Sequence, residues 1–441
     1  MRPPDLDWRR HLRAGRRELS RAWRHLALAI LCLAAASLPA AANDFILVPM
    51  DLKQTNHLKA YGLAYHMLVQ GQQVEWLLNY RGGSFLAKSQ REMELEARIR
   101  GVSFEFVTNA DVSAIKAEIE RENMEVVLLE KPPRLAVYTP PNTQPWDDAV
   151  TLALTYAEIP FDKVYDREVL AGWLDKYDWL HLHHEDFTGQ YGKFFGAYRF
   201  ETWYQHDVEV NEALARDLGF SKVSEEKKAV ARAIAKYTAN GGFLFAMCSA
   251  TDTFEIALAA EGVDIVAPEL DHDGITPGFD KALRFDRCFA LENFTLVTNP
   301  LVYEFSNIDT SNYARLRGPE ADYFTLFEFA AKHDPVPTML TQSHVSVING
   351  FLGQTTGFRQ GLVKKSVILL AKVEGTEEVK YVHGNVGRGT FTFYGGHDPE
   401  DYQHQVGDPP TRLELHVNSP GYRLILNNVL FPAARKKEQK T

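Results

Sequence analysis

The sequence predicts an α/β protein in which short buried strands alternate with amphipathic helices. Apolar runs such as 45–50 (FILVPM) and 243–248 (FLFAMC) are each followed by a longer stretch with helical spacing, 57–71 and 251–262. Breaks rich in glycine, such as Asn240-Gly241-Gly242, separate these elements. Because helices usually connect parallel strands, we expect a parallel sheet with helices on its faces.

The first 42 residues have the pattern of a secretory signal peptide. Eight arginines precede the apolar run LALAILCLAAASL, which is too short to span a membrane comfortably, and small residues end the segment at Ala42. The sequence therefore predicts cleavage near Ala42 and an exported, periplasmic or secreted protein. An uncleaved membrane anchor is the alternative.

The remaining chain divides at Lys131-Pro132-Pro133-Arg134, a break typical of a domain boundary. Residues 43–131 form a first, smaller α/β unit, and residues 132–433 form the main α/β domain. Residues 262–360 have weak periodicity, which predicts an insertion made of loops or a small β subdomain. A basic tail follows at 434–441.

The composition excludes several classes of partner. The chain of 441 residues carries a net charge of −10, and removal of the arginine-rich segment makes it more acidic, so no nucleic-acid partner is expected. No second apolar run is long enough to cross a membrane. Cys248 and Cys288 are too few for a disulfide framework, although one bridge between them stays open. The oligomeric state is not indicated.

Polar residues follow several strands of the main domain, at the edge where open parallel sheets bind their ligands. This convergence predicts a pocket for a small-molecule or cell-envelope ligand. The residues expected to line it are Asn142, His183, His184, Glu185, Asp186, Ser249 and Gly396.

Cys248 stands where a predicted strand meets a predicted helix. The positive end of the helix dipole and the free N–H groups there lower the pKa of a thiol and can hold an oxyanion. Cysteine is also among the residues most often buried, and the apolar run before Cys248 favours an inert core thiol. The sequence leaves both interpretations open.

The segment Gly395-Gly396-His397-Asp398-Pro399-Glu400 follows another predicted strand. The glycines allow a close approach of backbone. A histidine with a carboxylate shortly after it can act as base and orienting acid for a thiol. Asp-Pro is also a common start of a turn, so a purely structural role is the alternative.

Two histidines, His181 and His183, share one face of a predicted strand and lie close to Glu185. Imidazoles and a carboxylate in this pattern can bind zinc or another divalent ion. Strands of a parallel sheet are buried on both faces, so these residues are equally consistent with hydrogen-bonded core histidines. We therefore predict no metal and no cofactor, with a metal site as the alternative.

The stretch 241–262 (GGFLFAMCSATDTFEIALAAEG) resembles the nucleophile elbow of class I glutamine amidotransferase-like proteins. The stretch 387–402 (GRGTFTFYGGHDPEDY), followed by an amphipathic helix, looks like the end of trehalose-utilisation (ThuA-like) domains of the same flavodoxin-like superfamily. Phrases such as LHLHHEDFTGQYGKFF are also similar to exported bacterial proteins labelled asparagine synthetase B.

These resemblances imply a flavodoxin-like, doubly wound parallel sheet. They also imply a hydrolase or amidase in which Cys248 is the nucleophile, His397 its base and Glu400 the orienting acid. Two alternatives stay open. One is a periplasmic ligand-binding or scaffold module with a degenerate site, and the other is a metal-dependent ThuA-like hydrolase or isomerase.

Overall fold

A computed structural model describes residues 44–334 and 337–435. The predicted signal peptide and most of the predicted basic tail lie outside these residues. The first part of the described chain forms a five-stranded sheet of order β4-β1-β3-β2-β5. Its strands are β1 (Phe45–Val48), β2 (Val74–Leu78), β3 (Ser84–Lys88), β4 (Glu105–Val107) and β5 (Glu125–Leu129).

All strand pairs of this first sheet are antiparallel, so the prediction of a parallel sheet in residues 43–131 is wrong. The reason is β3, a strand that the alternation of apolar runs and helical stretches does not predict. The chain reverses between β2 and β3 through a tight turn in which Gly82 and Gly83 have φ of 75° and 88°. Because β3 pairs with both β1 and β2, the reversal makes the sheet antiparallel.

A second, ten-stranded sheet carries the rest of the strands in the order β11-β10-β13-β14-β15-β9-β8-β6-β7, with β12 paired to β14. The strands are β6 (Leu135–Tyr138), β7 (Asp162–Val164), β8 (Trp179–Leu182), β9 (Phe243–Met247), β10 (Tyr323–Leu326), β11 (Val347–Asn349), β12 (Phe358–Arg359), β13 (Ile368–Lys372), β14 (Glu378–Val386) and β15 (Gly389–Tyr394).

The large sheet is mixed. The strands β7, β6, β8, β9 and β15 are parallel to one another, as predicted for the main domain. From β15 onward the pairs are antiparallel, because β14 and β15 form a hairpin. The strands of the weakly periodic region, β10 to β12, extend this sheet and do not form a separate β subdomain.

Helices cover both faces of the parallel strands. Val137 of β6 packs in one core cluster with α4 and α13, whereas Ala136 packs in another with α8 and α9. This arrangement confirms the α/β class. The helices are α1 (His57–Val69), α2 (Arg91–Ile99), α3 (Asn109–Arg121), α4 (Ala149–Ala157), α5 (Asp166–Leu170), α6 (Phe195–Tyr198), α7 (Thr202–Asp217), α8 (Val223–Ala239), α9 (Cys248–Ala259), α10 (Pro268–Asp271), α11 (Ser311–Arg317), α12 (Pro337–Leu340) and α13 (Pro420–Leu430).

One hydrophobic core joins the two sheets. The same cluster contains Ile46 of β1, Val137 of β6 and Leu430 of α13, and residues from Phe45 onward belong to one compact unit. Among the helices of the described segments, none combines the length and apolar character that crossing a bilayer requires.

Candidate active site

Three neighbouring parallel strands end at the same level of the large sheet. Tyr394, the last residue of β15, pairs with Met247, the last residue of β9, and Leu182 of β8 pairs with Ala246. The residues that follow these strands are therefore brought to one edge. They include Cys248 after β9, His183 after β8 and His397 after β15.

Cys248 is the first residue of α9 and directly follows β9. Its φ of 47° lies in the left-handed region, which L-residues rarely adopt and which is often found at functional sites. The thiol is buried, with 3% of the residue exposed. Its Sγ accepts a hydrogen bond from the backbone N–H of Gln354 at 3.3 Å. Cys248 lines the same pocket as His397, and the two side chains lie close enough to shift each other's pKa values.

The environment favours a thiolate–imidazolium pair. Burial by itself would raise the pKa of Cys248, but the nearby His397 imidazole outweighs this effect, and the pKa is lowered. Burial alone would likewise lower the pKa of His397. The nearby Asp147 and Cys248 side chains oppose this effect and raise the pKa of His397 to about 10. Both shifts favour a negative charge on sulfur together with a positive charge on the imidazole.

The carboxylate beside His397 is Asp147, not Glu400. Asp147 Oδ1 lies 4.0 Å from His397 Nε2 and 2.8 Å from His404 Nε2. The two nearby imidazoles outweigh the effect of burial, so the pKa of Asp147 is lowered. Glu400 instead pairs with His416 Nδ1 at 2.9 Å. The geometry thus corrects the assignment of Glu400 as the orienting acid.

The two glycines before His397 allow the close approach that the sequence predicts. A Cβ atom on Gly395 would lie 2.4 Å from the carbonyl oxygen of Thr356. Gly396 has φ of 96°, and a Cβ atom there would lie 2.5 Å from the ring of Phe351. Both contacts are with the loop that contains Gln354, whose backbone N–H donates to Cys248. The absence of side chains on the two glycines therefore lets this loop pack against the site.

A pocket of about 360 Å³ opens onto Cys248 and His397. A volume of this size accommodates a small organic molecule. His184 lines the pocket, and its ring contacts Trp146 edge to face at 5.3 Å. The other lining side chains that bear on recognition are aromatic, amide or cationic: Phe194, Tyr198, Tyr303, Arg315, Gln354, Gln403, His404 and Gln405.

The remaining predicted residues lie behind or beside this pocket. Glu185 accepts a hydrogen bond from the backbone N–H of His183 at 2.9 Å, and burial raises its pKa to about 8. Asp186 accepts bonds from backbone N–H groups at 188, 190 and 192 and so shapes its own loop. Ser249 is buried in α9. Asn142 contacts Asp207 at 3.3 Å and does not line the pocket.

Both cysteines of the described chain are free, so the bridge left open between Cys248 and Cys288 is not formed. Cys288 is buried, and its Sγ lies 3.3 Å from the backbone oxygen of Glu255. Burial and the negative charge of Glu255 raise its pKa far above the usual value.

One ring nitrogen from each of three histidines, His183, His184 and His397, lies within 4.8 Å of the other two. This spacing is close enough for all three histidines to bind one cation. His183 Nε2 and His397 Nδ1 already share a hydrogen bond at 3.1 Å. A cation between them would have to replace this bond. The metal-dependent alternative therefore stays a prediction.

No protein-family model matches this chain, and no curated protein is significantly similar to it. Among solved structures, two cytoplasmic proteins from Salmonella typhimurium align with 69% and 68% of this chain and with 100% and 99% of their own, at 10% and 13% identity and TM-scores of 0.34 and 0.35. A β-galactosidase from Bacillus circulans sp. alkalophilus aligns with 60% of this chain and 29% of its own, at 10% identity and a TM-score of 0.25. Similarity this low leaves the function to be argued from the site.

Proposed function

We propose that this chain is an exported glutamine amidotransferase-like protein with a flavodoxin-like, doubly wound core. It hydrolyses an amide or related acyl bond of a small molecule or cell-envelope component through Cys248 and His397. The observation that carries the proposal is a thiol in a left-handed strand-to-helix turn that lines the same pocket as an imidazole, with a carboxylate 4.0 Å from that imidazole.

The reaction follows from the charges of the pair. The Cys248 thiolate attacks the carbonyl carbon of the substrate, a C–S bond forms, and the carbonyl electrons move onto oxygen. When the C–O double bond re-forms, the bond to the leaving nitrogen or oxygen breaks, and the His397 imidazolium donates its proton to that atom. Water then attacks the thioester, gives one proton to His397, and releases the acid and the thiolate.

Asp147 has a supporting role in this sequence. The imidazole must hold a proton before the leaving group departs and must recover one during hydrolysis. A carboxylate 4.0 Å from His397 Nε2 stabilises the protonated form throughout. Because Asp147 also lies 2.8 Å from His404 Nε2, its position is fixed from a second side.

The experiment compares two buried cysteines of the same chain. Purified wild-type protein is treated with iodoacetamide at neutral pH, and the modified peptides are mapped by mass spectrometry. We expect rapid modification of Cys248 and none of Cys288 before unfolding, because the neighbouring charges shift the two pKa values in opposite directions.

A panel of amide and ester substrates then tests the reaction itself. Cys248→Ala should abolish hydrolysis, and Cys288→Ala should keep it. A Cys248 that stays unmodified until denaturation would favour the ligand-binding module instead. Hydrolysis that survives in Cys248→Ala but is lost after treatment with EDTA would favour the metal-dependent alternative.

A further inference from the structure

A chain of hydrogen bonds runs through the buried region behind His397. His397 Nδ1 lies 3.1 Å from His183 Nε2, and His183 Nδ1 lies 3.3 Å from His181 Nε2. At the far end, His181 Nδ1 lies 3.1 Å from the carbonyl oxygen of Phe245. His181 and His183 are completely buried. The proposed reaction uses His397 and leaves the two other histidines without a role.

The carbonyl at the end of the chain sets the direction of every bond. A carbonyl oxygen can only accept, so the Nδ1 of His181 carries the hydrogen. A neutral His181 then accepts at Nε2 from the Nδ1–H of His183. A neutral His183 in turn accepts at Nε2 from the Nδ1–H of His397. The Nε2 of His397 is thereby left to face Asp147, 4.0 Å away.

Asp148 holds this arrangement from the side. Its carboxylate caps α4 by accepting from the N–H groups of Val150 and Thr151 at 2.7 and 2.8 Å, so its position is fixed. The same carboxylate lies 3.4 Å from His181 Nε2 and 3.5 Å from His183 Nδ1. Next to His183 Nδ1, this negative charge favours a hydrogen on that nitrogen.

We propose that His183 is a positioning residue, which accepts the Nδ1–H of His397 and so keeps His397 protonated beside Cys248. This inference rests on the proposed Cys248–His397 chemistry. His181, Asp148 and the Phe245 carbonyl fix the tautomer in which His183 can accept.

Several charged groups surround the three hydrogen-bonded histidines, and the test has to separate the effects of these groups from that of His183. Those around the imidazoles are Cys248, Asp147, Asp148, His184 and His404. Glu185 contacts the backbone of His183, and Lys380 of β14 is close enough to Cys248 for their charges to interact. A substitution confined to the side chain of His183 leaves all of them in place.

Asparagine and glutamine at position 183 make a matched pair. The amide of asparagine falls near the Nδ1 position of a histidine and can still donate to His181, but it does not reach His397. The amide of glutamine falls near the Nε2 position and can still accept from His397. The two variants are alike in polarity. They differ in the hydrogen bond that they keep, which is the bond to His181 in one variant and the bond to His397 in the other. His383→Asn is a control, since His383 is equally buried but bonds Thr392.

The measurement is the rate of Cys248 alkylation by iodoacetamide as a function of pH. We expect His183→Asn to lower the rate at pH 7 roughly tenfold or more, which corresponds to a rise of about one unit in the pKa of the thiol. His183→Gln and His383→Asn should stay within about twofold of the wild type, well inside one pKa unit. If His183 had only a structural role, the alkylation rate would fall equally in both His183 variants, and that result would overturn the inference.

The outcomes distinguish this inference from the proposed function. A wild-type Cys248 with an ordinary thiol pKa contradicts the proposed function itself. A low thiol pKa in the wild type that is unchanged in His183→Asn contradicts only the role of His183. If His183→Asn does not fold, ¹⁵N NMR of histidine side chains in the wild type decides. A neutral His183 with hydrogen on Nδ1 supports the inference, and hydrogen on Nε2 overturns it.

Discussion

The substitution Asp147→Asn tests whether Asp147 is the carboxylate that acts on His397, as the structure indicates, instead of the Glu400 predicted from sequence. It keeps the size of the side chain and removes the charge that lies 4.0 Å from His397 Nε2. The protonated form of His397 then loses its nearest carboxylate. We expect the pKa of His397 to fall and the pKa of Cys248 to rise, so that less thiolate is present at neutral pH.

The size of the effect follows from the distance. Two unit charges 4 Å apart interact by about 4 kcal/mol at an effective dielectric constant near 20, which corresponds to an upper limit of about three pKa units. His404 also depends on Asp147, which helps to raise its pKa. Once His404 loses this partner its pKa falls, so His404 repels the His397 cation less. We therefore expect a rise of roughly one to two units in the pKa of Cys248.

The assay is the pH dependence of Cys248 alkylation by iodoacetamide. At pH 7 the rate for Asp147→Asn should fall roughly tenfold to a hundredfold, in proportion to the thiolate fraction. Glu400→Gln is the matched control, because it makes the same chemical change at a carboxylate that pairs with His416. An unchanged rate in Asp147→Asn together with a slow Glu400→Gln would refute the assignment of Asp147.

Three further predictions concern stability, recognition and backbone strain. Burial lowers the pKa of His383 to about 3, so the unfolded chain binds a proton between pH 6.5 and 3 that the folded chain does not. Stability should therefore fall as the pH falls through this range. Urea unfolding at pH 7 and at pH 5 measures the free energy of unfolding that is lost between these two values. This loss should be about 2 kcal/mol smaller in His383→Asn than in the wild type. Arg315 is an exposed cation in the pocket and should favour an anionic reagent over a neutral one. Arg315→Gln should therefore lower the ratio of the iodoacetate rate to the iodoacetamide rate at Cys248 about two- to fivefold. An unchanged ratio would exclude Arg315 from anion recognition. Gly396→Ala combines φ of 96° with a clash against Phe351, so thermal or urea unfolding should show a loss of more than about 2 kcal/mol, and a neutral effect would contradict this backbone geometry.

The sequence located one edge of the site correctly, because that edge depends on local order alone. Cys248 and His397 each follow a strand directly, and parallel strands bring such residues together. Asp147 was within reach of the same reasoning, since it follows β6 in the loop that contains the predicted Asn142. Glu400 was chosen because it is close to His397 in the chain, whereas the charge at His397 depends on distance in space.

Other parts of the site depend on contacts that no local pattern contains. Gln354 lies in the weakly periodic region, more than a hundred residues after the thiol to which its N–H donates. His404 belongs to the site through Asp147, which precedes it by more than 250 residues in the chain. The antiparallel first sheet was missed for a similar reason. The pairing of β3 with both β1 and β2 decides the topology, and alternation of elements along the chain cannot reveal it.

Burial and reactivity of Cys248 seemed to be alternatives in the sequence, and the structure explains why they are compatible. Cys248 and Cys288 are both buried thiols, with 3% and 5% of each residue exposed. Removal of water from a thiol disfavours the thiolate in both cases. The same removal strengthens whatever charge remains nearby, because interactions are weakly screened in the interior. Cys288 faces Glu255, which adds to the cost of ionisation, and its pKa is raised. Cys248 faces the His397 cation, which reverses the shift. The sign of the neighbouring charge, rather than the depth of burial, therefore decides which of the two thiols is suited to act as a nucleophile.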